Sequence, residues 1–210
     1  MPEVSEPLAS VLAESARLGF LGPGPIEDHL VHAHGYEQNI PVAAHGQQQS
    51  LLDLGSGGGI PGLPLLMWRT DLTGVLLDAM AKRTRFLDHA VLQLGLTDRV
   101  RVVTARAEEA LLQGEGDLLR FFDLVVARSF GPPSVTLELA AHFCRLQGRI
   151  LISEPPGGRA WEPNGVAGLG LEQVSEAGAP IAVFASRQSP PPLRRWKVLV
   201  QRPAVRVTAI

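Results

Sequence analysis

Apolar residues along this chain of 210 residues follow two rhythms. Near the start the rhythm is helical. Leu8, Val11, Leu12 and Leu18 recur at the spacing that lines one face of a short amphipathic helix. Gly19-Phe-Leu-Gly-Pro-Gly-Pro25 breaks it, Ile26–His34 predicts a second helix, and Ala43–Ser50 a loop. From residue 51 short apolar runs alternate with helical stretches. Leu51–Leu54, Gly74–Asp78, Val100–Thr104, Phe122–Ala127 and Arg149–Ser153 predict strands. Leu63–Trp68, the stretch carrying Phe86, Leu87, Ala90, Val91 and Leu94, then Ala107–Leu112 and Ser134–Arg145 predict the helices between them. Gly95 ends the second of these helices. Strands that are apolar throughout and separated by helices belong in a parallel sheet covered on both faces.

After Pro155 the rhythm changes. Residues 155–165, rich in proline and glycine, read as a loop or lid. Ile181–Ser186 and Trp196–Gln201 predict two strands joined through Ser189-Pro-Pro-Pro192. That connection is too short for a helical crossover, so the pair should be antiparallel.

The densest chemical signal is Asp53-Leu-Gly55-Ser56-Gly57-Gly58-Gly59-Ile60-Pro61-Gly62, between the first strand and its helix. Glycines let a backbone turn sharply and approach a ligand closely. The helix start beyond offers unpaired N–H groups to a carboxylate or phosphate. Asp78 ends the second strand, 23 residues after Gly55, where a carboxylate can accept both hydroxyls of a ribose. The alternative for Asp78 is a plain helix cap. Gly57-x-Gly59-x-x-Gly62 also satisfies the dinucleotide pattern, so a nicotinamide cofactor competes. Asp53 ahead of the glycines and Pro61 among them favour S-adenosylmethionine (AdoMet). The expected fold is therefore α/β: a Rossmann-like class I AdoMet-dependent methyltransferase, its parallel sheet ending in an antiparallel hairpin. A dehydrogenase would continue with a parallel sixth strand. Residues 1–48 form a helical extension and 49–210 the methyltransferase domain in this reading.

Arg106-Ala107-Glu108-Glu109 follows the third strand, where the backbone at 107–108 would read an adenine edge. Arg128 follows the fourth strand, where methyl donor and acceptor must meet. It would hold the cofactor carboxylate, orient substrate or grip a phosphate, unless it is a structural ion pair. Ala127-Arg128-Ser129-Phe130 stands where amino-group methylators carry Asn/Asp-Pro-Pro-aromatic. An acceptor such as guanine N7, with a free lone pair, needs alignment rather than a base.

Composition bounds the rest. Hydrophobic residues are 45% and charged ones 19%, as in a folded domain. The net charge of -2 makes no global case for a polyanion partner. After Glu176, however, no acid occurs while Arg187, Arg194, Arg195, Lys197, Arg202 and Arg206 do; that stretch is either a phosphate-facing patch or a solvated edge. The single cysteine, Cys144, excludes an internal disulfide and reads as helix packing. No run reaches the ~20 apolar residues of a membrane span, and the acidic start lacks a signal-peptide pattern, so a cytoplasmic monomer is expected. His29, His32, His34 and His45 are not placed as a metal set, since His32 and His34 face apart on a helix.

Four ordered blocks, 52–65, 76–87, 105–109 and 122–130, give the chain a further likeness. It resembles the RsmG (GidB) family, bacterial methyltransferases that form N7-methylguanosine in 16S ribosomal RNA. Gly19-Phe-Leu-Gly-Pro23 looks like a segment of actinobacterial members. The resemblance implies AdoMet contact by Gly55, Ile60, Ala107, Glu108 and Arg128, with Arg128 at the reaction centre. It implies substrate contact by Lys82 and Arg83, and the small ribosomal subunit as partner. Ser56, Gly57, Gly59 and Asp78 complete the expected cofactor set. Two features depart from the family. Ser153-Glu154-Pro155-Pro156 stands where members usually carry Lys-Gly, and a carboxylate replacing a lysine should weaken RNA binding there. The family's Arg-His-rich segment is only loosely met by His29–His34. A paralogue methylating a small molecule or protein, or a noncatalytic AdoMet-binding protein, are the alternatives.

Overall fold

The Ser5 side chain accepts the Leu8 N–H at 3.4 Å and starts helix α1 (Glu6–Arg17) of the computed structural model. The structure describes residues 1–44, 46–112 and 118–210. The chain forms two compact units, Met1–Ala107 and Glu108–Ile210.

In the first unit, α1 buries Leu8, Val11, Leu12 and Ser15, and α2 (Ile26–Glu37) buries His29, Leu30, Ala33 and Tyr36. Three parallel strands follow: β1 (Gln49–Leu54), β2 (Leu72–Asp78) and β3 (Val100–Thr104). β2 lies between the others, with Leu54 beside Leu77 and Asp78 beside Thr104. α3 (Gly62–Trp68) and α4 (Ala81–Gln93) connect them. Leu51, Leu52 and Leu54 of β1 and Leu76 of β2 are fully buried, so these two strands are covered on both faces, while β3 leaves Arg101 and Thr104 exposed. Arg69, after α3, donates to Pro41 O at 3.0 Å and to both oxygens of Asp71 at 2.7 and 2.6 Å. That fork fixes the approach to β1.

Helix α5 (Ala107–Leu112) leads into the second unit. There β4 (Phe122–Ala127) runs parallel to β5 (Cys144–Ser153), joined by α6 (Pro133–Phe143). β6 (Arg159–Trp161) and α7 (Pro163–Gly168) come next, the helix capped by Glu162. β7 (Leu171–Gln173) and β8 (Ile181–Ser186) form an antiparallel hairpin, and β8 pairs antiparallel with β5. α8 (Trp196–Gln201) precedes β9 (Val207–Ala209), which pairs with β6. The fold class is the expected one: mixed α/β with mostly parallel principal strands and an antiparallel end.

Three expectations are corrected. Trp196–Gln201 is a helix, and the partner of β8 in the hairpin is β7. The segment 196–201 buries only Leu199 and leaves Trp196, Val198 and Val200 exposed, so its apolar run covers no strand face. Cys144 opens β5 and does not lie in the helix. It is buried, as expected, and desolvation pushes its thiol up to about 12. Residues 155–165 are an ordered turn, strand and helix start: Gly158 N donates to Pro155 O at 2.9 Å. Pro156 and Gly157, the latter at φ 92, occupy the two central positions, the sequence of a type II turn.

No helix among the described residues is long and apolar enough to cross a membrane.

Candidate functional site

The glycine loop is held from three sides. From β1, the Asp53 carboxylate accepts the Gly62 N–H at 3.0 Å. A Cβ on Gly62 would overlap that same carboxylate, so glycine is required where α3 begins. From β2, the Leu77 carbonyl accepts both Gly55 N–H and Ser56 N–H, at 2.8 and 2.9 Å. From α1, the buried Ser15 hydroxyl donates to the Gly58 carbonyl at 2.8 Å. Ser56 Oγ donates back to Asp53 O at 2.9 Å. Ser56 and Ile60 are both buried. Gly55, Gly57 and Gly59 have φ of 76, 54 and 93, the left-handed conformation that glycine adopts without steric cost.

Asp78, at the end of β2, is buried beside this loop. One carboxylate oxygen accepts Gly57 N–H at 2.9 Å and the other Met80 N–H at 2.8 Å. The cap position of α4 belongs to Met80, which makes no side-chain cap bond. Asp78 is therefore not that helix's cap. Each carboxylate oxygen has a second lone-pair site, so two further donors can be accepted. Arg83 Nη1 lies 3.7 Å from Asp78. Ala105 N donates to Asp78 O at 3.2 Å, setting the path toward Ala107, which is buried.

Lys82 and Arg83, grouped by the sequence, part company. Arg83 turns to Asp78, while Lys82 Nζ sits 5.4 Å from the Phe20 ring centre. Lys82 lines a cavity of about 270 Å³ between α1 and α4, with Phe20, Arg85, Phe86 and His89.

In the second unit, Glu108 stands in the first turn of α5 and Arg128 directly after β4, both half-buried. Ser129 has φ 51, a conformation unusual for a residue with a side chain. It lies at the rim of a cavity of about 200 Å³, lined also by Phe130, Thr136, Ser153, Glu154 and Arg159. The Glu154 side chain is 1% exposed. Its carboxylate accepts Arg159 Nη1 at 2.9 Å and the Trp161 indole N–H at 2.8 Å. Burial pushes its carboxyl up against the opposing pull of these two partners. The acid that replaces the expected lysine thus offers no bare negative charge to a ligand. Arg159 and Trp161 were not singled out by sequence; the signal was the Pro-Pro-Gly-Gly turn that folds them back on Glu154.

The basic C-terminal stretch is partly committed. Arg187 pairs with Glu172 at 2.6 Å, and Arg194 grips the buried Glu138 of α6. Arg195, Lys197, Arg202 and Arg206 are exposed. The histidines of α2 point to separate partners. His29 Nε2 is 3.1 Å from Gly22 O, His32 meets the edge of Tyr36, and His34 is 3.4 Å from Glu37. His45 lies outside the described residues. Among the described residues no three metal-ligating side chains gather.

Comparison with known proteins gives this geometry a context. The family model described as rRNA small subunit methyltransferase G (GidB) matches residues 29–154, more than half of the chain. A protein of Fervidobacterium nodosum named ribosomal RNA small subunit methyltransferase G is 35% identical over 118 residues, covering 56% of this chain and 54% of that protein. One of the same name from Salinispora tropica is 35% identical over 165 residues, covering 77% of this chain and 61% of that protein. The chain thus spans less than two thirds of either relative. A methyltransferase structure from Geobacter sulfurreducens superposes with a TM-score of 0.58 at 11% identity, over 90% of this chain and 93% of that one. At that identity the likeness concerns the fold.

Proposed function

Because the chain belongs to the rRNA small subunit methyltransferase G family, we propose that it transfers a methyl group from AdoMet to N7 of a guanine in 16S ribosomal RNA, acting in the cytoplasm on the small ribosomal subunit. The family match carries the RNA part of this reading, and the bond from Gly57 N–H to the Asp78 carboxylate, 2.9 Å, which joins the glycine turn to the acid at the end of β2, supports its AdoMet part.

The residues present suit AdoMet. Gly55, Ser56, Gly57, Gly59 and Ile60 form the turn for its methionine part, and Asp78 is the acceptor for its ribose hydroxyls. A Cβ on Gly57 would find no atom nearer than Gly55 O at 3.7 Å, so that side of the turn has room. Ala107 and Glu108 are assigned to the adenine, and Arg128 to the reaction centre. AdoMet supplies an electrophilic methyl group when bound. The protein's part is to hold the acceptor lone pair in line and to exclude water. Arg128 orients the acceptor and stabilises nearby negative charge. Arg83 balances the charge of Asp78, and Lys82 presents a cation to RNA. No general base is required, because guanine N7 carries no proton.

A second reading is favoured by one observation: the fifth strand is followed by Glu154 and two prolines. A paralogue methylating a small molecule or protein would explain that change. Incubation of purified, unmodified small ribosomal subunits with methyl-labelled AdoMet separates the two. Label in the RNA supports the first reading; AdoMet binding without transfer to RNA favours the second, or a noncatalytic binding protein.

A further inference from the structure

Resting on the ribosomal RNA reading, we propose that Arg159, locked in place by Glu154 and Trp161, is a phosphate-gripping residue of the acceptor site, opening onto the cavity at the ends of β4 and β5.

Three observations converge on it. The first is anchoring. Arg159 opens β6 and pairs with Ala209 of β9, so its backbone is fixed by a ladder. Glu154 N donates to Pro180 O at 2.9 Å, and the Pro155–Gly158 turn closes the short path between the two side chains. Trp161, whose indole donates to Glu154, is buried against Phe184 with ring centres 5.0 Å apart. A cation held this way loses little further freedom when it binds a ligand.

The second is spare capacity. Among the described residues Arg159 uses only Nη1, donating to Glu154 at 2.9 Å and more weakly to Ser153 O at 3.4 Å. A guanidinium carries five N–H donors. Among the described residues none takes Nη2 or Nε of Arg159, and the side chain is 27% exposed.

The third is the cavity itself. At about 200 Å³, with Ser129, Thr136, Ser153 and the Arg159-paired Glu154 as polar lining and Phe130 as an apolar wall, it is smaller than the roughly 300–1,000 Å³ of pockets for drug-sized ligands. That size suits one phosphate-sized or base-sized group, with an arginine at its edge. A planar fork with two free N–H directions matches two phosphate oxygens. Glu154, directly after β5, then acts as a brace: it orients a cation supplied five residues later.

The test uses the full chain and small-subunit ribosomal RNA transcribed without modification. RNA affinity is measured between about 50 and 200 mM salt for wild type, Arg159→Gln and Arg159→Lys, with AdoMet affinity by calorimetry as the check on folding. Losing one phosphate contact should make the log–log salt slope shallower by about 0.7. It should weaken RNA binding by about tenfold or more, with AdoMet affinity unchanged. Arg159→Lys should restore the slope but not the full affinity, since a point charge lacks the fork. Wild-type slope and affinity in Arg159→Gln would overturn the assignment, as would weaker binding with an unchanged slope. If Arg159→Gln fails to fold, Arg159→Lys decides: weakened RNA binding at an unchanged slope supports the assignment, and wild-type affinity overturns it. A wild-type protein that binds AdoMet but no RNA overturns the ribosomal reading together with this one. RNA binding that ignores Arg159 overturns this one alone.

Discussion

The Ser15 hydroxyl and the Gly58 carbonyl meet at 2.8 Å across 43 residues of sequence, and both groups are buried. Through this bond α1 becomes part of the glycine loop's support. Ser15→Ala leaves the carbonyl without its partner, at a cost of about 1–3 kcal/mol. Thermal unfolding should shift to lower temperature, and calorimetry should show weaker AdoMet binding. Unchanged values in both would mean the loop holds its shape without α1.

Asp78 should be far less tolerant. In Asp78→Asn the amide places an NH₂ against either Gly57 N–H or Met80 N–H, and the charge that would accept ribose hydroxyls is gone. Hydrogen bonds to charged groups contribute about 1.5–3 kcal/mol each, so AdoMet affinity should fall by about one to two orders of magnitude, read by calorimetry. Because the fold rests on the apolar strands, circular dichroism should remain that of the wild type.

Acid should weaken the first unit through Asp71. The Arg69 fork holds its carboxyl below the usual range, with burial opposing. A folded-state pKa lowered below the unfolded value, about 3.9 for aspartate, gives stability that is full above that value. This stability is lost as pH falls through the lower folded value. Asp71→Asn should therefore be less stable than wild type at pH 7, and the gap should close as the pH falls below about 4. Urea midpoints at a series of pH values check this. A gap that widens in acid would contradict it.

Much of this architecture was legible in the sequence because burial and sequence pattern agree. β1, β2 and β4 each carry a buried apolar run, Leu51–Leu52, Val75–Leu77 and Leu124–Ala127, so those runs announced them. The glycine turn and Asp78 were legible as a pair because both sit at strand ends, where chain direction fixes what they can face. Reading failed where one residue does the packing. α8 carries a short β-branched apolar run that reads as a strand but buries only Leu199. β7 is three residues with one buried leucine, too short for any period to show. Arg159 escaped for a different reason. Its partner Glu154 is five residues away, Trp161 bonds the same carboxylate, and the turn at Pro155–Gly158 brings the three side chains together. Lys82 and Arg83, adjacent in sequence, take different directions on α4, a separation that the shared motif did not reveal.

The residue roles proposed above all rest on methylation of guanine N7 in small-subunit ribosomal RNA. Mass spectrometry of the nucleosides of that RNA, from cells with and without the gene, tests it most directly. One N7-methylguanosine should disappear on deletion and return when the wild-type gene, but not the Asp78→Asn variant, is restored. An unchanged nucleoside profile in the deleted cells would contradict it.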